Sequence, residues 1–245
     1  MKYALLADIH SNLEALTAVL EDIDRRGGVE ELWCLGDIVG YGPDPGECIK
    51  LLRSRKHISV KGNHDVFCSG QMEALYLLNP EAATACRWTA RVLSAEDIEY
   101  LKNLPDVIER DDFTLAHGSP RDPIWEYIMS QSIALINFDY FRTKYCLVGH
   151  SHIPLVFKLD EEGNCITLPL SEIIGVVLGR GKMIINPGGV GQPRDGDPRA
   201  SYAIYDSESK MVRLRRVAYD IKTTQQKMVK FNLPVRLISR LEKGL

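Results

Sequence analysis

Two histidines, His150 and His152, flank a single serine directly after the apolar run Tyr145–Val148. Residues i and i+2 of an extended segment project to the same side, so both imidazoles can face one point. Such a pair can bind a metal ion. The alternative is a pair of solvated loop histidines, and the other polar clusters of the chain must decide between them.

Similar polar clusters directly follow other apolar runs of strand length, and every histidine except His57 lies in one of these clusters. The members that could bind a metal or transfer a proton are Asp8, His10, Asp37, Asn63, His64, Asp65 and His117. Each cluster alone could be an ordinary turn or helix cap in which a carboxylate satisfies backbone donors. Their repetition at the ends of apolar runs favours one shared site.

The spacing of apolar residues predicts strands alternating with helices in the first part of the chain. Leu13–Ile23 has helical spacing and follows a sequence that fits a capping box, Ser11–Glu14. A second helix is predicted to start at Asp44, with Pro45 in its first turn and Glu47 positioned to cap back. This order implies a parallel sheet, and ligands of such sheets bind beyond the carboxyl ends of the strands, where the clusters lie.

The rest of the chain predicts an insertion and further strands. From about 70 to 104, helix start signals at Asn79-Pro80 and Ser94–Asp97 indicate a helical insertion. After residue 155, hairpins around Glu162–Asn164 and Ser207–Ser209 indicate a mostly antiparallel second sheet, and the final helices should break near Pro234. We therefore predict an α/β fold, in part α+β, in which two sheets pack face to face with helices outside. Residues 1–245 are expected to form a single domain.

Composition excludes several classes of protein. The chain has 245 residues, of which 45% are hydrophobic, and a net charge of −3 without long runs of like charge, which argues against nucleic-acid and membrane-surface partners. The apolar stretch 173–179 is far shorter than the roughly 20 residues needed to span a bilayer. Asp8 interrupts any signal-peptide core, so a cytoplasmic location is expected. The six cysteines show no C-x-x-C pair, which favours buried thiols over disulfides or a zinc knuckle.

The ordered motifs D-x-H, G-D-x-x-G, G-N-H-D, H-G and G-H-x-H, which run from Asp8 to His152, resemble the calcineurin-like metallophosphoesterase superfamily. The resemblance implies a four-layer sandwich of two packed mixed sheets flanked by helices, with two metal ions held between loops. It implies that one ion is bound by Asp8, His10 and His152. It implies that the other is bound by Asn63, His117 and His150, with Asp37 as the bridge. A nitrogen and oxygen donor set without thiolates suits manganese, with iron, zinc, nickel or cobalt as alternatives.

The implied reaction is hydrolysis of a phosphoester by metal-activated water, without a phosphoenzyme. His64 is not needed as a ligand. Beside Asp65, which could orient it, His64 can protonate the leaving oxygen or stabilise the transition state. The stretch 36–43 lacks the aspartate and arginine of the protein serine/threonine phosphatases after Val39, which argues against a phosphoprotein substrate.

The stretches HGSPRDPIWEY and INPGGVGQPRDGDPRASY resemble a bacterial and archaeal subgroup of small phosphodiesterases, some of which cleave diadenosine tetraphosphate. We therefore expect a phosphodiesterase that acts on a small nucleotide or other small phosphodiester, such as a dinucleoside polyphosphate. Phosphomonoesterase or nuclease activity at the same site is one alternative. A non-catalytic scaffold, like the retromer subunit of the superfamily, is another, although the retention of His64 favours an enzyme.

Three further residues are expected to contact substrate: Tyr41, Arg194 and Arg199. The two arginines lie in a loop rich in glycine and proline, where guanidinium groups could bind phosphate oxygens beyond the scissile group. Alternatively, Arg194 could pair with Asp195 or Asp197 and merely order the loop. The sequence predicts neither the oligomeric state nor the physiological substrate.

Overall fold

The computed structural model describes residues 1–70 and 78–245. Its strands are β1 (Lys2–Leu6), β2 (Glu31–Cys34), β3 (His57–Ser59), β4 (Val107–Arg110), β5 (Phe113–Ala116), β6 (Tyr145–Leu147), β7 (Pro154–Leu159), β8 (Cys165–Leu168), β9 (Val176–Val177), β10 (Met183–Pro187), β11 (Ala200–Asp206) and β12 (Met211–Val217). Its helices are α1 (Leu13–Arg25), α2 (Pro45–Arg53), α3 (Asn63–Cys68), α4 (Pro80–Val92), α5 (Ala95–Lys102), α6 (Gln131–Asn137), α7 (Ile221–Lys230) and α8 (Val235–Arg240).

The strands form two six-stranded mixed sheets, which confirms the predicted fold class. The first has the order β3-β2-β1-β11-β12-β9, and the second has the order β4-β5-β6-β10-β7-β8. β1, β2 and β3 are parallel, as are β5, β6 and β10. The carboxyl ends of these strands carry the loops with the predicted site residues.

The prediction that a mostly antiparallel second sheet follows residue 155 is wrong. The hairpin β11–β12 pairs with β1 and extends the first sheet, whereas β5 and β6, which precede residue 155, lie in the second sheet. The hairpins themselves form at the predicted turns. Apolar alternation identifies a strand, but it does not say which neighbour that strand pairs with.

β1 shows how the sheets build the core. Leu5 faces the second sheet and packs in a cluster with Trp33 and Phe113, whose ring centroids are 5.2 Å apart. Ala4 and Leu6 face the opposite way and pack in the cluster that includes residues of α1. A strand segment that is buried on both faces is continuously apolar, as Ala4–Leu6 of β1 is, whereas Lys2 at the start of the strand is exposed.

The helix starts agree with the sequence in part. Asn79 and Ser94 cap α4 and α5, as predicted, whereas residues 71–77 of the predicted insertion lie outside the described residues. The capping box predicted from Ser11 is wrong, because Asn12 caps α1 by accepting the N–H of Ala15 at 3.1 Å. Asp44 precedes α2 but makes no cap bond and instead accepts from Lys227 at 2.9 Å.

The six cysteines are free thiols, and all except the half-buried Cys165 are buried. Within residues 1–70 and 78–245, no helix combines the length and the apolar character needed to cross a membrane.

Candidate metal centre

The predicted site residues lie together where loops from both sheets meet. Asp8 and His10 follow β1, Asp37 follows β2, and Asn63 begins α3 just after β3. From the second sheet, His117 follows β5, and the loop after β6 carries both histidines of the H-x-H pair. Every one of these side chains is buried although it is polar.

The backbone at these positions is strained. Positive φ angles occur at Asp8, His10, Asp37, His150 and His152, from 48° at His10 to 65° at His150. The left-handed region is unfavourable for residues other than glycine, and such strain concentrates at functional sites. The loops therefore turn sharply at the residues that point inward, a feature that the sequence alone did not indicate.

Four side chains form the first group: Asp8, His10, Asp37 and His152. His152 Nε2 lies 3.4 Å from Asp8 Oδ1, and His10 Nε2 lies 3.5 Å from Asp37 Oδ2. The two Nε2 atoms of His10 and His152 are 3.1 Å apart. The group is a compact set of two carboxylates and two imidazoles.

The second group contains Asp37, His117 and His150, with Asn63 beside them. His117 Nε2 lies 3.4 Å from Asp37 Oδ2 and 3.0 Å from His150 Nδ1. Asn63 Oδ1 lies 3.1 Å from the same His117 nitrogen. Asp37 Oδ2 therefore faces both groups, and Asp37 is the only residue common to them among the described residues.

Each of the four imidazoles is oriented by a backbone carbonyl. The pairs are His10 Nδ1 with Val39 O at 3.1 Å, His117 Nδ1 with Leu35 O at 2.8 Å, His152 Nδ1 with Gln192 O at 2.6 Å, and His150 Nε2 with Trp125 O at 3.2 Å. A carbonyl can only accept, so the ring nitrogen that faces it must carry the hydrogen. In a neutral ring the inward nitrogen then has a free lone pair, as in histidines that bind metals.

This arrangement fits cations. Burial lowers the pKa of both His10 and His152 well below the usual range, so their adjacent inward nitrogens present lone pairs to each other. Burial also raises the pKa of Asp8 to about 7, and Asp8 Oδ2 is buried without a hydrogen-bond partner in the described part of the chain. A bound cation would satisfy the carboxylate and separate the lone pairs, so these residues could hold divalent metal ions.

His64 lies outside both groups. Its ring stands edge-on to His10, with centroids 4.8 Å apart, and its backbone N–H donates to Asp37 Oδ1 at 2.9 Å. The expected contact with Asp65 is absent from the described structure, because the Asp65 carboxylate accepts the backbone N–H groups of Val39 and Gly62 at 3.1 and 2.9 Å. Asp65 therefore holds the loop that carries Asp37 instead of orienting the imidazole.

Two neighbours of the site were missed in the sequence. Cys86 on α4 places its Sγ 3.2 Å from His64 Nδ1, in the position that Asp65 was expected to take. Tyr127 stacks on the ring of His150, with centroids 3.7 Å apart, and is 44% exposed. Cys86 belongs to none of the motifs, and Tyr127 ends the stretch HGSPRDPIWEY, but no local signal in the sequence pointed to their contacts.

The predicted substrate residues differ in their surroundings. Arg194 lies over the ring of Tyr41, with its guanidinium carbon 5.8 Å from the centroid, and donates to Gln192 Oε1 at 3.0 Å. Tyr41 in turn packs against the ring of His10, with centroids 4.5 Å apart. Both residues therefore border the first group of candidate ligands.

The suggested pairing of Arg194 with Asp195 or Asp197 does not occur. Asp195 pairs with Arg216, and Asp197 pairs with Arg199 at 2.6 Å. Arg199 also contacts Glu172 at 3.2 Å, so two carboxylates already occupy its guanidinium group. The expectation that Arg199 binds phosphate is not supported by these contacts.

Comparison with known proteins identifies relatives over the whole chain. The model of the calcineurin-like phosphoesterase superfamily domain matches residues 1–210. An uncharacterized protein of Methanocaldococcus jannaschii is 44% identical over 246 residues, which cover 98% of this chain and 97% of that protein. The crystal structure of a metallophosphoesterase from Sphaerobacter thermophilus is 46% identical with a TM-score of 0.88, and the match covers 100% of this chain and 99% of that one.

A more distant relative has a named activity. The symmetrical bis(5'-nucleosyl)-tetraphosphatase of Vibrio campbellii is 26% identical over 136 residues, which cover 53% of this chain and 48% of that enzyme. This chain thus matches about half the length of the tetraphosphatase.

Gly62→Ala should disturb the candidate metal centre without forcing an unfavourable φ angle at residue 62. Gly62 has a φ of −99°, which alanine tolerates, but a Cβ there would clash with Oδ1 and the backbone nitrogen of Asp37. Asp37 must therefore move, and the rise in melting temperature on addition of Mn²⁺ should fall to about half or less. Gly179→Ala is the control, because its Cβ meets no described atom within 4 Å. An undiminished Mn²⁺-dependent rise in Gly62→Ala would contradict the assigned role of Asp37.

Proposed function

Because this chain belongs to the calcineurin-like phosphoesterase superfamily, we propose that it is a dinuclear metal-dependent phosphodiesterase acting on a small nucleotide, such as a dinucleoside polyphosphate. One observation carries the proposal: two buried groups of candidate ligands share the carboxylate of Asp37. A carboxylate is suited to bridge two cations about 3.5 to 4 Å apart, which is the spacing of two-metal hydrolytic sites.

The proposed ligands form two sets, which correspond to the two groups of side chains in contact. Asp8, His10 and His152 hold one ion, Asn63, His117 and His150 hold the other, and Asp37 contributes to both. The donor set of nitrogen and oxygen favours manganese, with iron, zinc, nickel or cobalt as alternatives. When bound, divalent ions attract phosphate, polarise its oxygens and lower the pKa of water.

His64 is proposed to protonate the leaving oxygen or stabilise the charge of the transition state. Its position beside His10, outside both ligand groups, leaves the ring available for this role. Cys86 contacts Nδ1 and so limits rotation of the ring, which leaves Nε2 as the atom for proton transfer. General acids of this kind typically contribute about 10²- to 10⁴-fold to the rate.

Arg194 is proposed to bind a phosphate that the ions do not reach. Its Nε is buried without a hydrogen-bond partner in the described part of the chain, so it retains a donor for an anion. Tyr41 supports the guanidinium from one side. A substrate with several phosphates, like that named for the Vibrio campbellii relative, would use such a donor.

Among the alternatives, a monoesterase would use the same ligand groups, whereas a nuclease fits less well. The net charge of −3 and the absence of a long run of basic residues in the sequence disfavour a long polyanion as substrate. A non-catalytic scaffold would not need His64 beside the ligands.

Asp37→Asn tests the dinuclear proposal. Wild-type protein reconstituted with excess Mn²⁺ should contain about two ions per chain and hydrolyse bis-p-nitrophenyl phosphate. The variant should lose metal and nearly all activity, because an amide cannot bridge as an anion. Elemental analysis measures the metal, and Asp139→Asn, at an exposed aspartate, is the matched control. Zero or one ion in the reconstituted wild type would refute the two-metal site.

His64→Ala separates chemistry from metal binding. We expect the variant to retain both ions while kcat falls by about 10²-fold or more, since only the proton donor is removed. His57→Ala is the control, because His57 contacts Arg55 and Tyr100 away from the ligand groups. Near wild-type turnover would remove His64 from the mechanism, and loss of metal would make it a ligand.

Arg194→Ala tests the phosphate contact. We expect kcat/KM for diadenosine tetraphosphate to fall. The decrease should correspond to a loss of about 1.5 to 3 kcal/mol of transition-state stabilisation, the scale of a charge-assisted hydrogen bond. Hydrolysis of bis-p-nitrophenyl phosphate, which has no second phosphate, should change much less. Arg199→Ala, whose guanidinium is already paired, should leave both reactions nearly unchanged. Equal losses on both substrates in Arg194→Ala would assign Arg194 to the metal centre instead.

A further inference from the structure

A second pocket lies on the outer face of the first sheet. It has a volume of about 540 Å³ and lies between the end of α1 and the strands β1, β11 and β12. Lys2, at the start of β1, lines it, whereas Asp8 follows the other end of that strand. At about 3.3 Å per residue, the two positions are roughly 20 Å apart. The pocket is therefore distinct from the candidate metal centre.

The pocket is strongly cationic. Lys2, Arg26, Arg213 and Arg215 line it, and Asp206 is the one acidic residue among its described lining residues. The sequence of β12 explains the clustering, because Arg213 and Arg215 alternate with buried apolar residues and so share the outward face. Such a concentration of positive charge on an acidic protein would be stabilised by an anionic partner.

The nearby carboxylates do not supply that partner to Arg213 and Arg215. Asp22 accepts from Arg26 at 2.7 Å and from the buried hydroxyl of Tyr202 at 2.7 Å. Asp206 accepts the backbone N–H of Glu208 at 3.0 Å and forms part of the β11–β12 turn. Neither carboxylate contacts the guanidinium groups of β12 in the described structure.

Arg213 and Arg215 consequently have unused donors. The Nε of each is buried without a hydrogen-bond partner among residues 1–70 and 78–245, and neither side chain forms an ion pair there. Arg213 donates at 3.2 Å to Met211 Sδ, which is a weak acceptor. Burial and the charges of Arg26 and Arg213 lower the pKa of Arg215, as expected for crowded cations. Leaving buried donors unsatisfied is unfavourable, so an acceptor from outside the chain would stabilise this arrangement.

Part of the remaining wall of the pocket is apolar. Ile23 and Val29 line it from the α1 side, and Ile204 and Met211 line it from the sheet. The volume falls within the roughly 300 to 1,000 Å³ typical of small-molecule sites. A ligand that fits both parts has several negative charges at one end and an apolar group, such as an aromatic ring system, at the other.

We propose that this pocket binds a nucleoside di- or triphosphate, with the phosphates on Arg213, Arg215 and Lys2 and the base against the apolar wall. This site is separate from the proposed active site and does not depend on the phosphodiesterase assignment. The competing explanation is that the arginine stems only cover the apolar surface of the sheet.

Titration of the manganese-loaded full-length protein with α,β-methylene ADP tests the proposal, since its P–C–P bridge resists hydrolysis. By calorimetry in 0.15 M NaCl, we expect a binding step whose Kd rises about tenfold or more in Arg213→Gln and in Arg215→Gln. The same step should be unchanged in Arg194→Ala, which alters the active site. It should also persist in Arg142→Gln, which removes an exposed positive charge elsewhere. Adenosine, which lacks phosphates, should bind at least tenfold more weakly.

The proposal is overturned if no binding step responds to the substitutions on β12, or if binding is lost only in Arg194→Ala. Equal affinity for adenosine would also overturn it. Lower melting temperatures in both β12 variants, without any nucleotide binding to the wild type, would identify the arginines as structural cover. Hydrolysis of bis-p-nitrophenyl phosphate should be unaffected in Arg213→Gln, so failure of this proposal and failure of the proposed function give different results.

Discussion

The position of the Asp37 carboxylate is the constraint on which the rest of the site depends. Its Oδ2 lies 3.5 Å from His10 Nε2 and 3.4 Å from His117 Nε2. His10 lies in a loop of the first sheet and His117 in a loop of the second. One carboxylate can therefore lie close to both imidazoles only if the two sheets pack in a fixed register. The contact of Trp33 with Phe113 beneath the site is part of that packing. A change in the inter-sheet core would therefore alter the distances between ligands that lie far from it in sequence.

Hydrogen bonds between loops maintain the strained backbone that points the ligands inward. The N–H of Asp8 donates to Gly36 O at 3.1 Å, and that of His10 donates to Asp37 O at 2.9 Å. In the second sheet, the N–H of Gly149 donates to His117 O at 2.8 Å. A left-handed residue costs about 1 to 2 kcal/mol, so these links between neighbouring loops must offset several such costs. The result is a set of imidazoles held in place before any ion binds, which reduces the entropy lost on binding.

The sequence predicted what is local and missed what depends on distant partners. Strands and most helix starts were visible because apolar spacing and caps such as Ser94 act within a few residues. The candidate ligands were visible because each follows a strand in a recognisable motif. The pairing of β11 with β1 was not, since it joins residues about 200 positions apart. For the same reason the sequence could not show that Cys86 contacts His64, 22 positions away. The pair of Asp197 and Arg199 is local, but the alternating charges of that loop leave several pairings open in the sequence. Asn12 replaced Ser11 as the cap of α1 because Ser11 lies in the strained turn beside the site.

The candidate ligands and the residues at the rim of the site are positioned differently. This difference explains why the proposed chemistry is easier to predict from the sequence than the substrate. The ligand groups occupy loops whose geometry is fixed by both sheets, so the same residue types recur in a recognisable order. The rim is built from separate segments: Tyr41 comes from the loop after β2, Tyr127 from the segment before α6, and Arg194 from the loop before β11. Each rim residue contacts a candidate ligand or another rim residue, yet none is required by the metal geometry. Under the proposed function, substitution at the rim would change substrate preference while the ligand groups stay the same.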